Sequence, residues 1–461
     1  MSRILLVNLS SLPMPGNEPI FPIGVHCIQQ ALEQAGHTAR LIDFVEHPEA
    51  VYELSWASEE WDVIGFSIRN IDPIDLACDG HVDAYSAFVK KIKALVKENV
   101  VLVGGGPGYS LFADNLTELL GLHVGVRGPG EEIMLEIAAD PQKFAARRQV
   151  IDGKRYEGFV SKVLKYPENL MHVYASGTKS MIGVETRRKT CFQRCIYCPY
   201  AYITGESSGD VKPLDILMEE ISGIYNAGFR RIFFTDGIFN SGIAYAKQVV
   251  RMLSEKSWPG LTWSAYFAAQ PFDDEFASLL KKSGVENIVV SPDSLDNDLM
   301  QRLGKNFDLA AMNRFVDTCR RHGLKMMVNV VFGGPGENRK TAENTANYIN
   351  RVLEEDELSL HVGFRILPHT SLSKETGLKE SELIYPTFYP FDNDLFQWML
   401  KSLDSKFMTP ARLMNLLAGR SSARRMGKVI NQHDDSIGDG GTHVIAIRRI
   451  GSKSDSVIGG V

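Results

Sequence analysis

The chain has 461 residues, a length that allows about two to four domains. Hydrophobic residues make up 44% and charged residues 23% of the chain, which is the ordinary composition of a globular protein. The formal net charge of -6 gives no overall attraction to nucleic acid or to an anionic membrane surface. No signal-peptide pattern and no membrane-length apolar run is apparent, so we expect a cytoplasmic protein without a membrane partner.

Residues 1–140 alternate between strand-like and helix-like segments. The predicted strands cover residues 3–8, 39–44, 63–68, 100–103 and 123–126, and the predicted helices cover residues 22–35 and 84–98. The third strand is an almost unbroken apolar run, as expected for a parallel strand that is buried on both faces. This alternation predicts an α/β fold with a doubly wound, Rossmann-like sheet, whose ligand lies at the carboxyl ends of the strands.

Residues 141–178 are predicted to be a linker, and residues 179–372 alternate between strands and helices again. The predicted strands cover residues 181–185, 231–235, 261–265, 287–291, 325–332 and 358–366, and the predicted helices cover residues 214–226, 244–254, 274–283, 309–322 and 339–352. Six such repeats without a clear seventh or eighth predict a partial (β/α)6 barrel with its site at the carboxyl ends of the strands.

Residues 373–461 differ in character and are predicted to form a small C-terminal cap over the site. A helix is predicted over residues 393–403, followed by a basic helix with Arg412, Arg420, Arg424 and Arg425. The aromatic residues that could line the substrate site are Tyr385, Phe388 and Tyr389.

A group of cysteines follows the first strand of the second repeat region. Cys191, Cys195 and Cys198 have the spacing C-x3-C-x2-C, with Tyr197 directly before the last cysteine. Three soft thiolates on one short loop can ligate three irons of an iron–sulfur cluster and leave the fourth iron open to bind a small molecule. A structural zinc site is disfavoured because it needs four ligands, usually in two pairs, and no second pair is near. The other cysteines are predicted to be buried apolar residues: Cys27, Cys78 and Cys319.

This cysteine motif, at the end of the first strand of a β/α repeat domain, resembles the radical S-adenosylmethionine (radical SAM) superfamily. The preceding domain resembles the cobalamin-binding domain of one branch of that superfamily. The resemblance implies three cofactors: a [4Fe-4S] cluster on the cysteines, S-adenosylmethionine on the open iron, and cobalamin in the first domain. In the superfamily, an electron from the cluster cleaves S-adenosylmethionine to a 5′-deoxyadenosyl radical, which abstracts hydrogen from carbon.

The resemblance places S-adenosylmethionine at the carboxyl ends of successive barrel strands. The methionine amino group would lie at the second strand, the ribose at the fourth, the nucleoside at the glycine motif after the fifth, and the adenine beside the sixth strand and an aromatic residue of the cysteine loop. In that order, the implied contacts are Thr235, Asp236 and Gly237; Ser291, Asp293 and Ser294; Gly333, Gly334 and Glu337; Arg365; and Tyr197. Each has an ordinary structural explanation when taken singly, and their order behind the cysteines favours the functional one.

The first domain lacks the Asp-x-His-x-x-Gly motif whose histidine replaces the lower cobalt ligand in many cobalamin-binding domains. The resemblance instead places the corrin contacts at Pro22, Gly24, Ser67, Arg69, Asn70, Gly104, Gly105, Gly106, Gly128, Gly130 and Glu131. Arg69 or Asn70 would project towards the lower face of the cobalt, and an arginine has no lone pair to give to it. The alternative is a nucleotide-type domain without a corrin, because a fold does not determine its ligand.

The resemblance implies a cobalamin-dependent radical SAM C-methyltransferase that transfers a methyl group from methylcobalamin to a carbon of a small-molecule or peptide precursor of a natural product. Two alternatives stay open among enzymes: methylation of an aromatic carbon without the adenosyl radical, and cyclisation, ring rearrangement or oxidation without net methylation. Outside enzymes, the alternative is a non-catalytic corrin or cluster sensor. We expect a monomer that receives electrons from a reductant such as flavodoxin or ferredoxin and binds no nucleic acid.

Overall fold

Two parallel sheets of six strands each form the framework of the protein. The structure, a computed structural model, describes residues 1–14, 20–72, 81–175, 181–188, 191–204, 210–256, 258–390, 392–410, 412–413 and 416, and the backbone of residues 428–429 and 447–448. The mixed α/β class and both parallel sheets confirm the fold predicted from the sequence.

The first sheet has the strand order of a doubly wound domain. Its strands are β1 (Arg3–Asn8), β2 (Thr38–Asp43), β3 (Val63–Ser67), β4 (Val101–Gly105), β5 (Val124–Arg127) and β6 (Gln149–Asp152), in the spatial order β2-β1-β3-β4-β5-β6. The helices of this region are α1 (Ile23–Gln34), α2 (Val82–Lys93), α3 (Pro107–Ser110), α4 (Ala113–Leu119), α5 (Glu131–Ala139) and α6 (Gln142–Ala145). Short 3-10 turns lie at Leu9–Ser11, Pro48–Val51 and Leu54–Ser58. The strand order reverses between β1 and β3, and ligands of open α/β sheets bind in the crevice at such a point.

The first sheet extends into the segment that we predicted to be a linker. β6 pairs with β5, and α7 (Gly158–Ser161) and α8 (Glu168–Ala175) follow it. Sequence analysis missed β6 because it is a short, half-buried edge strand without a long apolar run. The Tyr174 hydroxyl of α8 donates a hydrogen bond of 2.9 Å to the buried Asp43 carboxylate at the end of β2, which ties the connection to the first sheet.

The second sheet is an open, split barrel. Its strands are β7 (Ile182–Val184), β10 (Arg231–Phe234), β11 (Thr262–Phe267), β12 (Val285–Asp293), β13 (Met326–Phe332) and β14 (Leu358–Val362), in the order β14-β13-β12-β11-β10-β7. A short antiparallel pair, β8 (Arg187–Arg188) and β9 (Asp210–Val211), lies after β7. The helices are α9 (Tyr200–Ile203), α10 (Leu214–Asn226), α11 (Ile243–Lys256), α12 (Asp274–Lys282), α13 (Asn297–Arg302), α14 (Leu309–Arg321) and α15 (Arg339–Val352), with 3-10 turns at Phe239–Gly242 and Glu355–Glu357. β7 and β14 are therefore the two outer strands, as expected for the predicted partial barrel.

Helix caps place the starts of four barrel helices at defined residues after the strands. The side chains of Asp273, Asp296, Asp308 and Asn338 accept hydrogen bonds from the first-turn amides of α12, α13, α14 and α15. Each such cap stabilises its helix by about 1 kcal/mol. The loops between the strand ends and these caps carry four of the predicted S-adenosylmethionine contacts: Ser294, Gly333, Gly334 and Glu337.

Alternation along the barrel strands separates a helix-covered outer face from an inner face. In β11, Trp263, Ala265 and Phe267 are buried in the core under the helices, whereas Tyr266 points to the other face. The same alternation applied to the neighbouring strands assigns these residues to the inner face: Phe233, Thr235, Ser291, Asn329 and His361. The inner face is thus aromatic on one side and polar on the other.

The C-terminal region packs beside the barrel. It contains α16 (Ser371–Thr376), α17 (Glu380–Leu383), α18 (Asn393–Ser402), a 3-10 turn at Ser405–Phe407, and the paired strands β15 (Lys428–Val429) and β16 (Ile447–Arg448). α18 confirms the predicted helix, and the Asn350 side chain of α15 donates a 2.8 Å hydrogen bond to the Ser402 carbonyl at its end. Of the predicted basic helix, Arg420, Arg424 and Arg425 lie outside the described residues. Among the described residues, no helix has both the length and the apolar composition needed to cross a membrane.

Candidate active site

The cysteine loop lies against the segment that follows α13. The Arg194 and Ile196 amides each donate a 3.1 Å hydrogen bond, to the carbonyls of Gly304 and Leu303. Gly304 has a φ of +83°, and a Cβ atom there would lie 2.0 Å from the Arg194 carbonyl oxygen. Only glycine combines this backbone conformation with this close approach, so Gly304 lets the cysteine loop pack where it does.

The three cysteines of this loop are close enough to affect one another. Cys191 and Cys195 are half-buried and Cys198 is exposed. The surrounding protein raises the pKa of the Cys198 thiol to about 11, and the thiols of Cys195 and Cys191 add to the rise. In the described part of the chain, no group of three His, Cys, Asp or Glu side chains is already arranged to hold a metal ion. The donor set of three thiols nevertheless fits a [4Fe-4S] cluster, which binds thiolates and so releases their protons.

The isolated cysteines differ in burial. Cys319 is fully buried in α14, as predicted, and burial raises the pKa of its thiol to about 12. Cys27 is half-buried, and its surroundings also raise the pKa of its thiol to about 12. Cys78 lies outside the described residues.

A buried lysine, which sequence analysis missed, joins the cysteine loop to the end of β12. The Lys305 ammonium lies 2.6 Å from the Asp293 carboxylate, 3.0 Å from the Tyr197 hydroxyl and 3.4 Å from Cys195 Sγ. The Lys305 and Asp293 side chains are only 3% and 4% exposed. Burial alone would lower the pKa of Lys305, but the Asp293 carboxylate and the Cys195 sulfur outweigh it and raise that pKa. Lys305 thus places a fixed positive charge beside a predicted cluster ligand.

Asp293 and Ser294, two predicted ribose contacts, both have protein partners. Asp293 forms the ion pair with Lys305 and accepts a hydrogen bond from the Tyr197 hydroxyl. Ser294 is buried, and its hydroxyl is 3.1 Å from the Thr345 hydroxyl. Lys305, after α13, is the partner of Asp293, and Thr345, on α15, is the partner of Ser294. Ser291, half-buried on the inner face, stays a predicted ribose contact.

Asp236, the predicted partner of the methionine amino group, is buried and hydrogen-bonded to the segment after β7. Its side chain is 2% exposed and accepts hydrogen bonds from the Thr186 hydroxyl at 2.6 Å, the Thr186 amide at 3.2 Å and the Arg187 amide at 3.1 Å. Burial raises the pKa of Asp236 to about 6, against these hydrogen bonds. Asp236 therefore fixes the chain between β7 and the cysteine loop. Thr235 is exposed at the end of β10, and the Gly237 amide donates to the Tyr200 hydroxyl at 3.3 Å.

The glycine motif after β13 borders a cavity of about 240 Å³. Gly333, Gly334 and Glu337 line it together with residues of α18. The Gly333 amide donates a hydrogen bond to the Glu337 carboxylate, and burial raises the pKa of this carboxyl to about 7. A Cβ atom at Gly334 would lie 2.9 Å from the Phe364 ring, so this glycine is needed for packing as well.

Arg365 and Tyr197 take part in protein contacts rather than standing free beside an adenine. The Arg365 guanidinium forms an ion pair of 2.8 Å with Asp72 of the first domain and donates to the Ile366 and Leu383 carbonyls at 2.6 and 2.8 Å. These hydrogen bonds of Arg365 join distant parts of the chain, and its contact with the adenine stays a prediction. The Tyr197 ring packs edge to face against Phe364, with centroids 5.0 Å apart.

The glycines at the strand ends of the first sheet divide into two groups. Gly104 and Gly106 are required by packing, because Cβ atoms there would lie 2.4 Å from the Tyr109 ring and 2.6 Å from the Ile68 carbonyl oxygen. Gly24, Gly105 and Gly128 leave open space, with no atom closer than 3.7 Å to a Cβ atom built there. The open group provides room at the strand ends for a large flat ring, which fits the predicted corrin.

The remaining predicted corrin contacts lie on three loops of the same edge. Arg69 and Asn70 follow β3, and the Arg69 guanidinium donates a 2.8 Å hydrogen bond to the Asn70 side chain. Desolvation lowers the pKa of the Arg69 guanidinium, and Tyr266 of the barrel acts in the opposite direction. Pro22 precedes α1, Ser67 ends β3, and Gly130 packs near Ile28.

Glu131, a predicted corrin contact, forms an ion pair with the barrel region. It is buried at the start of α5, and its carboxylate lies 2.6 Å from the Arg188 guanidinium of the barrel region. The carboxylate is therefore directed to the other domain, because α5 starts where the two domains meet.

Replacing Gly304 with alanine is expected to destabilise the protein and to lower its iron content after reconstitution. A left-handed backbone costs an alanine about 1–2 kcal/mol, and the clash with Arg194 adds about 1–3 kcal/mol. Thermal unfolding and iron analysis would measure both effects. Gly260→Ala is the matched control, because Gly260 also has a positive φ of +77° but has no atom closer than 3.9 Å. Equal behaviour of the two variants would contradict the assigned role of Gly304.

Two family models match the two halves of this site. The model of the Radical SAM superfamily matches residues 189–349, and the model of the B12 binding domain matches residues 17–138. The chain is a radical SAM enzyme with a cobalamin-binding domain. Its cofactors are a [4Fe-4S] cluster, S-adenosylmethionine and cobalamin.

Characterised proteins and solved structures share this two-domain arrangement. The chain is 24% identical to a tryptophan 2-C-methyltransferase from Streptomyces laurentii, over 77% of this chain and 72% of that protein. It superposes with a TM-score of 0.70 and 23% identity on the radical SAM methyltransferase TsrM from Kitasatospora setae, solved with cobalamin and a [4Fe-4S] cluster, over 82% of this chain and 75% of that chain. The cobalamin-dependent radical SAM enzyme OxsB, solved with aqua-cobalamin, superposes with a TM-score of 0.63 and 13% identity over 98% of this chain and 65% of that chain.

Proposed function

We propose that this radical SAM enzyme is a cobalamin-dependent C-methyltransferase that acts on a small molecule with a planar aromatic ring. The observation that carries this proposal is that strand-end loops of the cobalamin-binding domain form ion pairs with both edges of the barrel, Asp72 with Arg365 and Glu131 with Arg188. A substrate on the inner face would therefore lie between the two cofactor sites.

An aromatic wall on the inner face supports the aromatic substrate. Tyr266 is 42% exposed, and its ring packs edge to face against Phe233, with centroids 5.6 Å apart. Exposed aromatic rings inside a cavity favour edge-to-face or offset contacts with a flat ligand. Across the barrel, the Asn329 side chain donates a 3.0 Å hydrogen bond to the Ser291 hydroxyl, which provides polar groups for the substrate or the cofactor.

The chain itself would bind and orient the reactants. When bound, cobalamin would carry the methyl group, and the cluster and S-adenosylmethionine would supply electrons and a methyl donor. Arg69 would contribute positive charge and hydrogen-bond donors to the cobalamin site rather than a metal ligand, because a guanidinium has no lone pair to give. Lys305 would hold its positive charge beside the anionic cluster, and the inner barrel face would keep water from the reacting carbon.

We also propose a substrate, a biological role and an electron donor for this enzyme. A tryptophan-bound structure of TsrM and the tryptophan methyltransferase from Streptomyces laurentii support tryptophan or a related indole as the first substrate to test. We propose a role in natural product biosynthesis and a cytoplasmic monomer that receives electrons from flavodoxin or ferredoxin. A peptide precursor is the second substrate class to test.

The test is an anaerobic assay of the reconstituted full chain with S-adenosylmethionine that carries a deuterated methyl group. With cobalamin and tryptophan present, we expect S-adenosylhomocysteine and a product that bears the deuterated methyl group, both detected by mass spectrometry. The same mixture without cobalamin is the control and should give no labelled product. A product without the label would favour cyclisation, rearrangement or oxidation over methylation. Labelled product together with 5′-deoxyadenosine would indicate the radical route, and labelled product without it would indicate direct methyl transfer.

A further inference from the structure

An arginine follows each outer strand of the split barrel and forms an ion pair with the cobalamin-binding domain. Arg188 comes after β7 and pairs with Glu131, whereas Arg365 comes after β14 and pairs with Asp72. We call these two contacts, Arg188–Glu131 and Arg365–Asp72, the edge ion pairs. They lie at opposite edges of the second sheet, because β7 and β14 are its first and last strands in space.

The first edge ion pair is almost completely removed from water. The Arg188 and Glu131 side chains are 12% and 5% exposed, and their charged atoms are 2.6 Å apart. The Phe159 ring centroid lies 4.5 Å from the guanidinium carbon of Arg188. The Nε atom of Arg188 donates a hydrogen bond of 3.2 Å to the Glu185 carboxylate, which belongs to the barrel region. Glu131 directly follows Gly128, Pro129 and Gly130, so the pair fixes the loop after β5.

The second edge ion pair fixes the loop after β3. The Arg365 and Asp72 side chains are 13% and 19% exposed, with Nε and Oδ2 2.8 Å apart. Asp72 comes three residues after Arg69, whose amide donates a 2.8 Å hydrogen bond to the Ser10 hydroxyl. The loop that carries Arg69 is therefore held by the first sheet at one end and by the barrel at the other.

We propose that the edge ion pairs are positioning contacts. They hold the loops after β3 and β5 of the cobalamin-binding domain against the two edges of the barrel and so set the distance between the cofactor sites. The parts that they join are far apart in the sequence, with Asp72 and Arg365 separated by 293 residues. A buried pair favours one relative position of the two loops, because a shift that breaks the contact without letting water in leaves both charges buried and uncompensated. The effect on methyl transfer rests on the proposed function, whereas the effect on cobalamin binding does not.

The test uses the full chain with its cluster reconstituted and compares Arg188→Gln and Arg365→Gln with the unchanged protein. We expect the affinity for hydroxocobalamin, titrated by absorbance without substrate, to fall by roughly 5- to 150-fold in each variant. Amide hydrogen exchange in residues 68–72 and 124–131 should increase, and iron content should stay unchanged. The kcat of methyl transfer should fall by about 10²-fold while the KM for S-adenosylmethionine changes little, because misplacement acts on the distance between cofactors.

The matched control is Arg231→Gln, which removes an arginine from an ion pair of 2.9 Å with Glu286 inside the barrel. This control should keep its cobalamin affinity. If Arg188→Gln does not fold, the double variant Glu131→Gln/Arg188→Gln, which leaves no unpaired charge, is measured instead and must show the same loss. Unchanged cobalamin affinity and exchange in the edge variants, or an equal loss in the control, would overturn the proposal. Failure of the unchanged protein to methylate any substrate would count against the proposed function and would leave the binding test intact.

Discussion

Replacing Cys191, Cys195 and Cys198 together with alanine is expected to abolish the binding of iron and sulfide and the cleavage of S-adenosylmethionine. Thiolates are the only ligands that this loop offers to a cluster, and a [4Fe-4S] cluster needs them all to stay bound in a cysteine-poor site. Iron and sulfide analysis, the brown absorbance of the cluster and its electron paramagnetic resonance signal after reduction would measure the loss. Cobalamin uptake should persist, because the glycine-lined strand ends belong to the other sheet.

Cys319→Ala is the matched control for the cysteine variants. Cys319 is fully buried in α14, away from the cysteine loop, so its replacement should cost about 1 kcal/mol of stability and leave the iron content unchanged. Retention of iron by the triple variant would refute the assignment of the cluster to this loop. Loss of iron from Cys319→Ala would show that the assay reports general instability.

Lys305→Met is expected to have the second-largest effect, on both stability and the cluster. Removing the ammonium leaves the buried Asp293 carboxylate without its partner at 2.6 Å, which costs about 3–5 kcal/mol of unfolding free energy. It also removes the donor that lies 3.4 Å from Cys195 Sγ, and loss of such a contact lowers the reduction potential of a cluster. Chemical denaturation and a redox titration followed by electron paramagnetic resonance would measure the two effects.

A second variant separates the two effects of Lys305. The double variant Asp293→Asn/Lys305→Met leaves no unpaired charge, so it should regain much of the lost stability while its cluster potential stays low. Lys325→Met, at an exposed lysine, is the control and should behave like the unchanged protein. A Lys305→Met protein with unchanged stability and potential would show that Lys305 has neither role.

The sequence predicted the cluster loop because its signal is contained in eight consecutive residues. It did not predict Lys305, because Leu303-Gly304-Lys305 after a short helix is an ordinary helix end. The position of Gly304 against Arg194 is created only when α13 packs on the cysteine loop. The distance of 110 residues between Cys195 and Lys305 explains why no local pattern marks their contact.

The sequence by itself determined the strands of the two sheets except the edge strand β6, the longest helices and the three-cysteine motif, because hydrophobic periodicity and short-range spacing are properties of neighbouring residues. The tertiary structure alone decided which protein partners the charged residues near the strand ends have. Glu131, Asp236, Asp293 and Arg365 all stand near strand ends where ligands are expected, and each has a hydrogen-bond or ion-pair partner from a distant part of the chain. A buried charge must be paired, and its partner comes from whichever element packs beside it, which is a property of the assembled fold rather than of the local sequence.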